Sequence, residues 1–127
     1  MIFNNLIYQD KIINSIKSYV KTNKIPHAFL FYGHEGSGKI GYAIEFAATL
    51  LCDNLNENLA CGSCISCTKI KNIQHENINY IHPLPTKSSS NKRTPISKIL
   101  NDSLIKEINL ELSSIMKEPY SKFKIKK

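Results

Sequence analysis

The sequence predicts an α/β domain in which a parallel sheet carries a glycine-rich phosphate-binding loop, with a four-cysteine metal module inserted behind the next helix. Three observations predict it. A short apolar run, Ala28-Phe29-Leu30-Phe31-Tyr32, ends at the stretch Gly33-His34-Glu35-Gly36-Ser37-Gly38-Lys39. An apolar helical pattern starts at once after Lys39, so the loop sits between a strand and a helix. Four cysteines then follow at Cys52, Cys61, Cys64 and Cys67.

Each element has a local reason. Over residues 8–21, Ile12, Ile13, Ile16, Tyr19 and Val20 recur at helical spacing with polar residues between them, which predicts an amphipathic helix. Pro26 ends that pattern, because the residue before a proline is pushed out of the helical region. The run 28–32, bounded by Gly33, reads as a buried strand. The helix after the loop spans about 39–52 and places Ala43, Phe46, Ala47 and Leu50 on one face. Residues 68–74 suit a short helix, and 78–81 a strand stopped by His82-Pro83. From about 84 to 97, just after Pro83, the residues Pro85, three consecutive serines (Ser88, Ser89, Ser90), Asn91 and Pro95 predict a mobile polar loop. A last helix over 101–116 carries Leu104, Ile105, Ile108, Leu112 and Ile115 on one stripe, with Asp102 or Ser103 placed to cap it. Glu118-Pro119-Tyr120 closes it, and a further strand begins near 121–125.

With 127 residues, 42% of them hydrophobic, the chain suits one domain with a modest core. Its net charge of +7 comes from many scattered lysines and a single arginine, Arg93, among frequent Asn and Ile. Solvated faces account for such a scatter, and the densest run, Lys122, Lys124, Lys126 and Lys127, lies where chains commonly fray. The aromatic and basic interleaving of a base-stacking platform is missing. The stretch 43–52 is interrupted by Glu45 and Thr49, and the start of the chain has no basic segment followed by an apolar one. These features predict a cytoplasmic protein with no membrane contact.

The loop is suited to phosphate by its backbone. Glycines let successive N–H groups turn inward, and the following helix adds its positive end. Gly33, Gly36, Ser37, Gly38, Lys39 and Ile40 are the candidate nucleotide-binding residues, with Lys39 reaching the β and γ phosphates of ATP. Ile40 departs from the pattern, since Ser or Thr there would place a hydroxyl on Mg²⁺. Backbone amides and Lys39 can still bind phosphate, but assisted hydrolysis loses a metal ligand, so a binding loop and a relic loop both stay open. No catalytic residue is assigned.

In a reducing compartment, closely spaced cysteines read as metal ligands. The spacing C-x8-C-x2-C-x2-C lets Cys52, Cys61, Cys64 and Cys67 close a tetrahedral structural Zn²⁺ site. Free thiols and an iron–sulfur cluster are the alternatives; the cluster usually has a fourth cysteine after three intervening residues, followed by proline, and here Thr68-Lys69-Ile70-Lys71 follows Cys67. His75 reads as a loop or surface residue rather than a fifth ligand.

These residues together resemble the clamp-loader ATPase subunits of bacterial DNA polymerase III, members of the AAA+ group. The resemblance rests on Ile25-Pro26-His27-Ala28-Phe29-Leu30-Phe31 leading into the loop 33–39, on the helix after it, on the four cysteines behind that helix, and on Ile105-Lys106-Glu107-Ile108. It implies the front part of an AAA+ phosphate-loop domain, with a zinc module at about 52–67, in a DNA replication assembly with nucleotidyltransferase activity. Other clamp-loader subunits, the sliding clamp and primed DNA would be its partners. Ile40 favours the delta-prime subunit over the gamma/tau motor subunit. The resemblance also places the acidic Walker B residues, the lid and the collar after residue 127, so the chain by itself is not expected to hydrolyse ATP. The strand 28–32 would then lack ladder partners, at a cost on the order of 1 to 3 kcal/mol per unpaired buried group.

Overall fold

A computed structural model describes residues 1–81 and 102–121. Among the described residues the regular structure is four helices: α1 (Asp10–Thr22), α2 (Lys39–Leu51), α3 (Ile65–Lys71) and α4 (Asp102–Lys117). Helix α2 is central and packs against each of the other three.

Helix α1 forms as its periodicity predicts and buries Ile13 and Ile16. It stops at Asn23, whose φ of 52° is left-handed and whose N–H returns to the Val20 carbonyl. Asparagine tolerates that conformation, so termination comes three residues before Pro26. Helix α4 ends where Pro119 requires it, and its Ser114 carbonyl accepts the N–H of Glu118. On its predicted stripe only Ile115 is buried; Leu104, Ile108 and Leu112 are half-buried and Ile105 is exposed.

The predicted parallel sheet is not found: there is no strand among the described residues, only an isolated antiparallel bridge between Asn56 and Leu59. The run 28–32 nevertheless keeps a strand's alternation. Phe31 is half-buried against the core, and Phe29, though 37% exposed, lies edge-on to Tyr19 and to Phe46 at centroid distances of 5.2 and 4.6 Å. Leu30 and Tyr32 are 84% and 87% exposed, so one face of the run is packed and the other bare. A strand needs a neighbour to satisfy its backbone, and no ladder partner lies among the described residues. Residues 78–81 behave alike: Ile78 and Tyr80 pack against the core while Ile81 is exposed. The loop over 84–97, the basic run 122–127 and all but the first residue of the strand expected at 121–125 lie outside the described residues.

The buried face of α2 also differs from the predicted one. Tyr42, Ile44, Glu45, Phe46, Ala48 and Thr49 are buried, whereas Leu50 is exposed and Ala43 and Ala47 are intermediate. The reason is the chain start. Residues 1–7 lie along α2, burying Ile2, Phe3 and Leu6, and the Glu45 carboxylate accepts the N–H groups of Ile2 (2.8 and 3.1 Å) and Phe3 (3.3 Å).

Candidate metal centre and glycine-rich loop

The two candidate sites occupy opposite ends of α2. At its C-terminal end Cys52 leaves the helix in extended conformation. The chain then reverses over Asn56 to Leu59, whose two backbone hydrogen bonds are both 2.9 Å. Glu57 and Asn58 carry φ of 50° and 60°, the paired left-handed residues of a tight hairpin turn. A return of residues 53–60 onto the helix is what the four-cysteine spacing implies; the turn that makes it has only Asn58 as a local signal. It brings the Ala60 N–H to Thr49 Oγ1 at 3.2 Å, and Cys61 back beside Cys52.

The four sulfurs gather into one cluster, all within 4.8 Å of one another. Individual separations are 3.8 Å for Cys52–Cys64, 4.0 Å for Cys61–Cys67 and 3.7 Å for Cys52–Cys67. A tetrahedral ion with metal–sulfur bonds of about 2.3 Å sets its ligand sulfurs about 3.8 Å apart, so the donor set fits a metal ion of that kind. Backbone N–H groups are aimed at the sulfurs: those of Ser63 and Cys64 at Cys61 Sγ (3.4 and 3.3 Å), that of Cys61 at Cys52 Sγ (3.3 Å) and that of Cys67 at Cys64 Sγ (3.4 Å). The N–H groups of Ser63 and Cys64 hold the Cys61 thiol down to about 6, whereas burial pushes Cys52 and Cys67 up. A bound cation would offset that burial by making all four thiolates.

Helix α3 starts at Ile65, three residues earlier than predicted, because Cys64 Sγ acts as its cap by accepting the Cys67 N–H. Asp53 ties the same turn to α2, accepting from the Ser66 N–H and hydroxyl, and these two bonds lower its pKa. His75 is buried rather than on the surface; its Nδ1 accepts the Asn77 N–H, and it lies outside the sulfur cluster. It is drawn in beside Ile78, which packs against the core, and no local pattern announces this.

At the N-terminal end of α2, Gly36 and Gly38 have φ of 76° and 77°, and the Gly38 carbonyl starts the helix by accepting the Tyr42 N–H at 2.9 Å. A Cβ at Gly38 would come within 2.8 Å of the Tyr120 ring, so both the conformation and the space call for glycine. Lys39 does not reach outward. Its Nζ donates to the loop's own carbonyls, Gly33 at 3.0 Å and His34 at 2.6 Å. Ser37 Oγ lies close to Gly33, and the Ile40 side chain is 41% exposed. The loop borders a cleft of about 160 Å³, whose opposite wall is the turn Pro119, Tyr120 and Ser121. Those wall residues were missed because their role arises from the end of α4 meeting the loop, 80 residues away in sequence.

A four-sulfur cluster at one end of a helix and a glycine-rich loop at the other define a two-ended module with a site suited to a metal ion. The chain belongs to the DNA polymerase III delta subunit family, whose model matches residues 8–125. It is 35% identical over 69 residues to DNA polymerase III subunit tau/gamma of Haemophilus influenzae, covering 54% of this chain and 10% of that protein. To DNA polymerase III subunit delta' of Bacillus subtilis it is 25% identical over 75 residues, covering 59% of this chain and 22% of that protein. Protein STICHEL-like 1 of Arabidopsis thaliana is 36% identical over 69 residues, 54% of this chain and 6% of the relative. The chain therefore spans a small part of the length of the curated relatives it matches. No solved structure gives a significant match. No helix among the described residues is long and apolar enough to cross a membrane.

Proposed function

We propose that this chain works within a DNA polymerase III clamp loader in a delta-prime-like role, as a positioning subunit of an AAA+ assembly rather than its motor. The observation that carries the reading is the family match over 8–125, within which a sulfur cluster of zinc dimensions stands behind the glycine-rich loop. In this reading Cys52, Cys61, Cys64 and Cys67 hold a structural Zn²⁺ that fixes residues 52–67 to α2 and supplies no reactive chemistry. Gly33, Gly36, Ser37, Gly38, Lys39 and Ile40 form a degenerate phosphate loop. Two features support degeneracy: Ile40 offers Mg²⁺ no oxygen, and Lys39 is engaged with the Gly33 and His34 carbonyls. Other clamp-loader subunits, and through them the sliding clamp and primed DNA, are the partners this role requires.

Calorimetry of the purified chain with ATP plus Mg²⁺, and with ATP plus chelator, tests the reading once its zinc content is known. Absent or magnesium-indifferent binding is the expected result. Tight, strictly magnesium-dependent binding would overturn the delta-prime assignment in favour of a gamma/tau motor role, to which the identity with the Haemophilus influenzae tau/gamma subunit lends support.

A further inference from the structure

Residues 1–7 run along α2 in the opposite direction to it and touch both sites. At the cysteine module the Met1 ammonium donates to the Ala60 carbonyl at 2.6 Å, and the Met1 carbonyl lies so close to Gly62 that a Cβ there would approach to 2.6 Å. Midway, Ile2 and Phe3 give their N–H groups to Glu45. Towards the glycine loop, Leu6 Cδ1 lies against Gly41 and Gly38, the Ile7 carbonyl accepts the Tyr42 hydroxyl, and the Ile7 N–H meets the Tyr120 hydroxyl at 2.5 Å. The partners thus step from 60 and 62 through 45 to 41 and 38, spanning a helix about 20 Å long.

Glu45 is the unexpected residue. A fully buried carboxylate is costly unless its oxygens are satisfied, and here they serve the backbone of an irregular segment. Oε2 accepts from both Ile2 and Phe3, and Oε1 takes a second, longer bond from the Ile2 N–H. A second link runs from the Glu45 carbonyl through the Thr49 hydroxyl to the Ala60 N–H, back into the module. The arrangement is a continuous hydrogen-bonded and packed path between two sites that share no direct contact.

We propose that residues 1–7 are a strap, latched by Glu45, that transmits order between the cysteine module and the glycine-rich loop, with Glu45 as its positioning residue. The strap rests on the geometry alone; that its two ends are a zinc module and a phosphate loop rests on the reading under Proposed function.

Hydrogen–deuterium exchange on the full chain tests it, comparing wild type, Glu45→Ala and Glu45→Gln. Glu45→Ala is expected to speed exchange about tenfold or more at residues 1–3 and also at both remote ends, 59–62 and 36–42. Glu45→Gln keeps an acceptor at the Oε2 position and should restore protection at all three. Faster exchange confined to 1–3, or no rescue by glutamine, overturns the proposal. If Glu45→Ala loses its helical circular dichroism, Leu6→Ala loosens the strap from the other end, and unchanged exchange at 59–62 in that variant overturns it equally. Zinc content measured on each sample separates the two claims: a chain that takes up no zinc counts against the metal reading, while the exchange pattern still decides the strap.

Discussion

The two ends of α2 solve the same problem of local order in opposite ways. The cysteine end closes on itself: its ligands lie within 16 residues, its sulfurs receive backbone N–H groups, and its turn, cap and carboxylate contacts are all local. The glycine end is built from distant pieces, with Leu6 and Tyr120 as its walls and Lys39 folded onto its own carbonyls. The strand that should support it at 28–32 packs one face and leaves the other bare. Apart from the Met1 contacts to Ala60 and Gly62, the cysteine module is held by short-range contacts and tolerates an incomplete sheet, whereas a loop that borrows its walls depends on everything around it.

The largest effect that could break this contrast is expected from Cys64→Ser. The substitution removes one of four thiolates and the cap of α3, so bound zinc should fall from about one equivalent to none, with a loss of several kcal/mol of stability. Elemental analysis and denaturant melts read it, and one zinc still tightly held would rule out the four-thiolate centre. Next comes Glu45→Ala, which leaves two buried N–H groups without acceptors, at about 1–3 kcal/mol each.

Glu45 also gives the comparison a pH dependence. Burial raises its carboxyl above the ordinary range, against the pull of the Ile2 and Phe3 N–H groups, the Met1 ammonium and Lys71. A raised folded-state pKa means a contribution fully present below about pH 4.3 and lost as pH climbs through the folded value. Glu45→Gln, which does not titrate, should therefore gain on the wild type as pH rises from 5 to 8, and melts across that window would show it. A wild type that instead gains on Glu45→Gln as pH rises would mean that the ionised form is the stabilised one.

Gly62→Ala sharpens the same boundary with a smaller cost. The alanine would sit at φ +79° with its Cβ against the Met1 carbonyl, costing about 1–3 kcal/mol in melting experiments while the four sulfurs keep their places. The smallest stability change is expected at the other end. Ile40→Thr exchanges a 41% exposed side chain for one with a hydroxyl, within about 0.5 kcal/mol, yet it should raise any magnesium-dependent nucleotide affinity. Calorimetry that finds wild type and variant alike would place the loop's defect elsewhere, with Lys39 the next residue to change.

Features set by short-range chemistry were legible in the order of residues. Helical periodicity placed α1, α2 and α4 to within a few residues, Pro119 fixed the end of α4, and cysteine spacing alone picked out four side chains that do meet. Glycine spacing likewise marked the tight turn at Gly36 and Gly38, whose φ values prove left-handed. The tertiary structure decided the rest. Whether 28–32 and 78–81 pair as strands depends on a neighbour, because a strand's backbone is satisfied by another segment and never by itself. Glu45 looked like a polar break in an apolar helix; only the arrival of Ile2 and Phe3, more than 40 residues away in sequence, makes it a latch. His75 is buried and Tyr120 walls the cleft for the same reason: contacts between residues far apart in the chain leave no periodic trace in the sequence, since nothing in the local pattern records what will be packed against it.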